Sequence, residues 1–127
     1  MHKPVLAVAV LMAAPLPAQT KPFSVVETSI TDMRTALQQK RTTSREIVTQ
    51  YLNRIAMYED KLHAVITVNP RALAIADSLD RLRAQGRILG PLHGIPVALK
   101  DNVHTTDMPT TGGALAFADL VPPYRQR

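Results

Sequence analysis

The sequence predicts an α/β fold in which helices pack beside part of a mixed sheet. Two segments with helical periodicity come first, and a run rich in β-branched residues, 63–69, follows them. A third amphipathic segment then leads to a second apolar run at 96–99. The order strand, helix, strand is that of a βαβ unit, whose two strands lie parallel in one sheet.

Capping residues and apolar spacing predict the first two helices. The first runs from about Thr31 to Lys40, with Ser29 or Thr31 as its N-cap. Thr43 and Glu46 have the spacing of a capping box, and the apolar stripe behind them predicts a second helix over 44–59. That stripe consists of Ile47, Tyr51, Ile55 and Tyr58.

The third helix is predicted from its two ends. Asn69 is a favourable N-cap, Pro70 suits the first helical position, and Gly86 suits the position just after the last turn. The apolar residues between them fall on one face. The second strand then follows at 96–99 and ends directly at Lys100.

The composition narrows the classes of function. The chain has 127 residues, enough for one domain, and is 46% hydrophobic and 20% charged. Its formal net charge is +5, but the basic residues are spread singly among acids, which predicts solvated helix faces and no nucleic-acid partner. Cysteine is absent, which excludes disulfides, thiolate catalysis and cysteine-based zinc sites.

The first residues have the pattern of an export signal. A short basic start precedes the apolar run Val5 to Ala14, which is too short to span a bilayer, and cleavage is expected after Ala18. We expect residues 1–18 to form a signal peptide, 19–28 a linker or arm, and 29–127 a partial domain. The mature chain is then exported, to a periplasm or outside the cell, and is not membrane-bound. A buried N-terminal helix or strand is the alternative.

Lys100 is the candidate functional residue. In an open α/β sheet, ligands bind beside the carboxyl ends of strands, where Lys100 falls. Partial burial of an ammonium favours its neutral form, which lets a lysine act as a base. The alternative is an ordinary surface lysine paired with Asp101.

Two ordered motifs carry a family resemblance. The segment GPLHGIPVALKDN, Gly90 to Asn102, followed by MPTTGG, resembles the leading motif of the amidase signature family, the Ser–cis-Ser–Lys amidases. The segment from Thr42 to Asp80 is similar to the helix, strand and helix that this family places upstream. The resemblance extends from Ile30 to Phe117. It implies the N-terminal part of the amidase signature fold, with a βαβ unit of a larger mixed sheet that is incomplete here.

The resemblance implies a mechanism in which Lys100 is the base of the triad. Neutral Lys100 would take a proton from a bridging serine, which activates a nucleophilic serine against a small-molecule amide substrate. This chemistry needs no cofactor and no metal. His93 is then expected to pack in the rigid turn, and His104 to be a loop residue.

The sequence departs from the family pattern in ways that affect function. Both family serines lie downstream of the lysine, beyond Arg127, and Ala114 stands where the family usually has serine. None of the chain's own serines lies in a Gly-rich loop; they are Ser24, Ser29, Ser44 and Ser78. We therefore expect the N-terminal portion of an exported amidase, inactive alone. The alternatives are a non-catalytic α/β remnant or binding module, or a fragment of an amidotransferase-type subunit.

Overall fold

The computed structural model describes residues 21–124, and in that range the protein is helical. Helix α1 spans Ile30–Gln38, α2 spans Ser44–Leu62 and α3 spans Ala72–Ala84, and a 3-10 turn follows at Leu115–Phe117. Helices α2 and α3 pack against each other. The polypeptide between α3 and the 3-10 turn consists of turns and segments without regular secondary structure, and it contains Lys100.

The two helix starts predicted first are confirmed. The Ser29 hydroxyl accepts a hydrogen bond from the Asp32 amide at the start of α1. At the start of α2, the Thr43 hydroxyl accepts from the Glu46 amide at 3.1 Å, and the Glu46 carboxylate accepts from the Thr43 amide at 2.9 Å. Both bonds of the capping box are therefore formed, and they satisfy amides that the helix leaves without partners.

Helix α3 ends as predicted but begins later. Gly86 has a positive φ of 75°, and hydrogen bonds from Gly86 N–H to Arg83 O and from Arg87 N–H to Leu82 O close the last turn. Its N-cap is Arg71 and not Asn69. The Asn69 side chain instead accepts from the Arg71 amide at 2.8 Å, so that Asn69 and Pro70 form a turn that precedes the helix.

A carboxylate from α3 joins the two packed helices. Asp80 accepts from the Ser44 amide at 2.8 Å and from the Arg45 amide at 3.0 Å, both in the first turn of α2. Asp77, one turn earlier on α3, forms an ion pair of 2.5 Å with Arg45. The negative charge at the N-terminus of α2 also opposes the helix dipole, which favours this arrangement.

The core is small and lies between α1, the first half of α2 and the turn before Lys100. The apolar side chains of the cluster are buried; they are Val25, Met33, Leu37, Ile47 and Ile95. Tyr51 and Phe23 pack against it from the side. Further along α2 the predicted apolar stripe becomes exposed, and Tyr58 is 41% accessible.

Residues 21–28 form an arm that one side chain fastens to α2. The Gln50 carboxamide accepts from the Val25 amide at 3.1 Å and donates to the Phe23 carbonyl at 3.1 Å. Phe23 and Val25 point towards the core, whereas Ser24 between them is exposed. The predicted linker is therefore, from residue 21 onward, an arm packed on the domain. The predicted signal peptide lies outside the described residues.

The predicted βαβ unit is not formed within residues 21–124. Both predicted strands, 63–69 and 96–99, lack ladder hydrogen bonds, and their apolar side chains are largely exposed. A strand differs from a helix in that its backbone bonds come from a neighbour, so β-branched composition alone does not create one. No helix within the described range is long and apolar enough to cross a membrane.

Candidate active site

Lys100 ends a segment without regular secondary structure that begins at Pro96, and every residue of that segment is exposed. The Lys100 carbonyl accepts from the Val103 amide at 2.9 Å, which turns the chain immediately after the lysine. The partial burial expected for a lysine base is not supplied by residues 21–124. Lys100 therefore lies on the surface at the end of a segment that forms no strand within residues 21–124, whereas the sequence predicted the end of a strand.

Asp101 holds this turn against a second segment, residues 110–113. Its carboxylate accepts from the Thr111 amide at 2.9 Å, from the Thr111 hydroxyl and from the Gly113 amide at 3.3 Å. The Asp101 carbonyl accepts from the Gly112 amide at 3.0 Å. The TTGG motif is therefore a set of donors that fixes the residue next to Lys100.

These bonds also favour the ionised form of Asp101. The Thr111 hydroxyl makes the largest contribution, and with the Thr111 amide it lowers the pKa of Asp101 below its ordinary value. Burial opposes this shift, while the Gly113 amide and the positive charge of Lys100 reinforce it. The carboxylate is stabilised as the anion that the TTGG donors require.

The loop between these two segments is tied to the start of α3. The Asp107 carboxylate accepts from the Asn69 side chain at 3.2 Å and pairs with the Arg71 guanidinium at 3.1 Å. Thr110 is buried, and its amide donates to the Leu120 carbonyl at 2.9 Å. Residues on both sides of the loop therefore restrict where the Lys100–Asp101 turn can lie.

The turn before Lys100 packs tightly against the start of α2. Gly94 has a φ of 82°, and a Cβ built on it would lie 2.1 Å from the Ser44 hydroxyl oxygen. Only glycine fits both the backbone angle and the space. The Arg83 guanidinium donates to the adjacent His93 carbonyl at 2.7 Å, which fixes the turn to α3.

His93 packs in this turn, as the sequence predicted. Its ring is buried, Nδ1 lies 3.1 Å from the Leu89 amide and Nε2 lies 2.9 Å from the Leu79 carbonyl. Because an amide donates to Nδ1, Nε2 carries the proton, and both nitrogens are used structurally. His104 is a loop residue whose ring meets Tyr124 edge-on at 5.5 Å.

The chain's own serines serve its local structure. Ser29 caps α1, Ser78 donates to the Ala74 carbonyl at 2.9 Å, and Ser24 accepts from the Val26 amide at 3.2 Å. Ser44 is buried at the start of α2, beneath Gly94. Across residues 21–124, no hydrogen bond joins any of these serines to Lys100, and no group of three or more His, Asp or Glu side chains could hold a metal.

Comparison with known proteins identifies the family. The family model described as Amidase matches residues 46–126, which is more than half of the chain. The chain belongs to the amidase family. The match includes α2 from Glu46 onward, α3, the turn with Gly94, and the Lys100–Asp101 turn with its TTGG donors.

Individual members of the amidase family are similar over most of this chain. A glutamyl-tRNA(Gln) amidotransferase subunit from Natranaerobius thermophilus is 41% identical over 99 residues, covering 77% of this chain and 20% of that protein. A probable amidase of Arabidopsis thaliana is 43% identical over 102 residues, covering 78% of this chain and 20% of that protein. The chain thus spans about one fifth of the length of these relatives.

Solved structures of the amidase family share the fold. Native peptide amidase from Stenotrophomonas maltophilia superposes with a TM-score of 0.76 at 40% identity, covering 80% of this chain and 21% of that one. An amidase family protein from Bacillus anthracis superposes with a TM-score of 0.74 at 30% identity, covering 80% of this chain and 21% of that one. These likenesses support the amidase signature fold for this segment.

The sequence predicts Lys100 and its motif as the candidate site, but it does not predict the residues that fix the backbone around them. Thr111 was noticed only as part of a motif, and its bonds to Asp101 join residues ten positions apart. Asp80 and Arg83 read as members of a solvated helix face, yet they anchor the start of α2 and the turn before Gly94. In the sequence, the TTGG motif a few residues after an aspartate is the one pattern that could have predicted the contact between Asp101 and Thr111.

Proposed function

We propose that this chain is the N-terminal portion of an exported amidase that hydrolyses carboxamide C–N bonds, with Lys100 as the base of a Ser–cis-Ser–Lys triad. The observation that carries the proposal is the fixed Lys100–Asp101 turn within a segment that matches the amidase family. Three donors on Asp101 restrict the backbone from which the lysine extends.

In the proposed reaction, neutral Lys100 accepts a proton from a bridging serine, which takes one from the nucleophilic serine. The nucleophile attacks the amide carbonyl, the C–N bond breaks to leave an acyl-enzyme, and the returned proton leaves with the amine. Water then hydrolyses the acyl-enzyme, which releases the carboxylic acid and restores the serine. Both serines come from polypeptide outside this chain. The chain alone is therefore proposed to be inactive, because a base without a nucleophile forms no acyl intermediate.

The remainder of the domain is also proposed to bury Lys100, which is exposed in this chain. Lys100 is exposed, and so are the apolar side chains of Val97 and Leu99 beside it. Polypeptide packed over this segment would bury the lysine and pair the strand. Burial of the ammonium then favours the neutral form that a base requires.

A chimera tests the assignment directly. Residues 30–124 of this chain replace the matching segment of the Stenotrophomonas peptide amidase, and hydrolysis of a peptide amide is measured. We expect activity in the chimera, and we expect Lys100→Ala to lower kcat by at least ~10²–10⁴-fold. Lys100→Arg keeps the charge but cannot accept a proton, so it should fail similarly.

Lys61→Arg is the matched control, because Lys61 is an exposed lysine in the last turn of α2. It should leave kcat unchanged. Near-normal kcat in the folded Lys100→Arg chimera would make Lys100 a structural cation and refute its role as the base. An inactive but folded parent chimera would contradict the assignment of this segment to a hydrolytic amidase.

A second candidate is a fragment of an amidotransferase-type subunit. It is favoured by the 41% identity to a glutamyl-tRNA(Gln) amidotransferase subunit. The proposed export separates the two candidates, since the apolar run Val5 to Ala14 has the composition of a signal peptide. N-terminal sequencing of the mature protein should begin at or near Gln19 for an exported amidase. An intact Met1 on protein retained in the cytosol would favour the amidotransferase assignment.

A further inference from the structure

A cavity of about 140 Å³ lies between α1, α3 and the turn that precedes Gly94. Its polar side chains are Arg34 and Gln38 from α1 and Arg83 from α3, while Ile88 and Pro91 form apolar walls. This space exceeds the ~10–15 Å³ needed for one water by a wide margin, so it can hold a small molecule. Helices and the turn before Gly94 form this cavity, and neither Lys100 nor Asp101 lines it.

The charges that line this cavity have one sign. Two arginines line it, Arg34 and Arg83, and none of its lining residues is acidic. His93 also lines it, but both ring nitrogens bind backbone groups. A concave site with one sign of charge and apolar walls concentrates ions of the opposite sign.

The two guanidinium groups have donors that the protein does not use. Arg34 has no hydrogen-bond or ion-pair partner in the described part of the chain. The Nη2 of Arg83 donates to the His93 carbonyl at 2.7 Å, which holds the guanidinium in place, yet its Nε is buried and has no partner. Because this Nε has no contact with solvent, an ion in the cavity would meet the free donors of the exposed Arg34 guanidinium first.

We propose that this cavity is a binding site for a small oxyanion, a carboxylate or a phosphate, held by Arg34 and Arg83 with the Gln38 amide as a further donor. Guanidinium groups suit such ligands because their donors match pairs of oxygens. Arg83 is pre-oriented by its bond to His93 O, so little side-chain freedom is lost on binding. This proposal does not rest on the proposed amide-hydrolysing function.

The experiment titrates the purified chain with sodium phosphate and, separately, with sodium acetate, at constant ionic strength. Nitrogen-15 NMR of the arginine Nε–H groups reports binding, and Arg83 should shift saturably with at least one anion. Arg34→Gln should weaken that affinity about tenfold, the value of one charge-assisted hydrogen bond. Saturation by phosphate alone identifies a tetrahedral ligand, and saturation by acetate a carboxylate; either supports the site.

Arg54→Gln is the matched control, since it removes the same charge from α2, where Arg54 stacks over Tyr58 at 5.5 Å. It should bind like the native chain. Gln38→Ala, at an exposed position, gives a second variant that tests the site without disturbing the Arg83–His93 bond. The proposal is overturned if neither anion shifts Arg83 saturably, if Arg34→Gln binds as tightly as the native chain, or if Arg54→Gln weakens binding equally.

Discussion

The carboxylate of Asp80 in α3 accepts a hydrogen bond of 2.8 Å from the backbone amide of Ser44, the first residue of α2. Its other oxygen accepts from the Arg45 amide at 3.0 Å. Two of the four amides that every helix leaves free at its start are thus satisfied by a different helix. The packing of α2 on α3 is therefore coupled to the capping of α2.

The first prediction concerns this inter-helix cap. Asp80→Ala should reduce the free energy of unfolding by about 0.5–2 kcal/mol, the range for loss of a cap, and urea denaturation measures it. Asp77→Ala is the control, because it breaks an exposed ion pair to the neighbouring Arg45 side chain and should cost at most about 1 kcal/mol. Equal losses in the two variants would show that Asp80 acts only through surface charge.

The second prediction concerns Gly94. Gly94→Ala combines backbone strain at φ 82° with a Cβ 2.1 Å from the Ser44 hydroxyl oxygen. Gly86→Ala has a similar φ of 75° but an open surrounding, so it reports strain alone. We expect Gly94→Ala to be ~1–3 kcal/mol more destabilising, the cost of overpacking. Comparable thermal denaturation of the two variants would rule out the close contact.

The third prediction concerns the pH dependence of the Lys100–Asp101 turn. The folded pKa of Asp101 is lowered, so the unfolded chain binds the proton more tightly, near pH 3.9. The stability that Asp101 contributes is therefore present above about pH 4 and is lost as the pH falls through its folded pKa. Thr111→Val removes the largest contribution to the shift and should raise the pKa of Asp101, measured by NMR of its carboxyl carbon.

Thr105→Val is the control for this titration. Its hydroxyl donates to the Met108 carbonyl at 3.3 Å and does not bind Asp101. The pKa of Asp101 should be unchanged in that variant. An unchanged pKa of Asp101 in Thr111→Val as well would mean that the Thr111 hydroxyl does not contribute to the shift.

Local signals explain which elements could be predicted from the sequence. Thr43 and Glu46 form their capping box within one turn, and the end of α3 is closed by bonds from Gly86 to Arg83 and from Arg87 to Leu82. The predicted strands failed because a ladder needs a second backbone, and none of residues 21–124 supplies it. The Asp101–Thr111 contact likewise requires the chain to fold back over ten residues, which composition alone does not predict.

The fourth prediction tests whether 96–99 is a strand that lacks its neighbour. The amides of Val97, Ala98 and Leu99 have no acceptor within the described part of the chain, so they should exchange with deuterium rapidly. In the peptide amidase chimera the same amides should become protected. The Ile95 amide, bonded to the Leu92 carbonyl at 3.0 Å, is the internal reference and should be protected in both proteins. Rapid exchange at 97–99 in a folded, active chimera would contradict the strand.

Gln50 determines how the arm is aligned along α2. Its side chain accepts from the Val25 amide and donates to the Phe23 carbonyl, which is the pair of hydrogen bonds that a neighbouring β-strand would make. Because side chains alternate along an extended segment, a slip by one residue would turn Phe23 and Val25 outward and direct Ser24 at the core. One carboxamide thus sets the register of the arm, and that register decides which side chains complete the core.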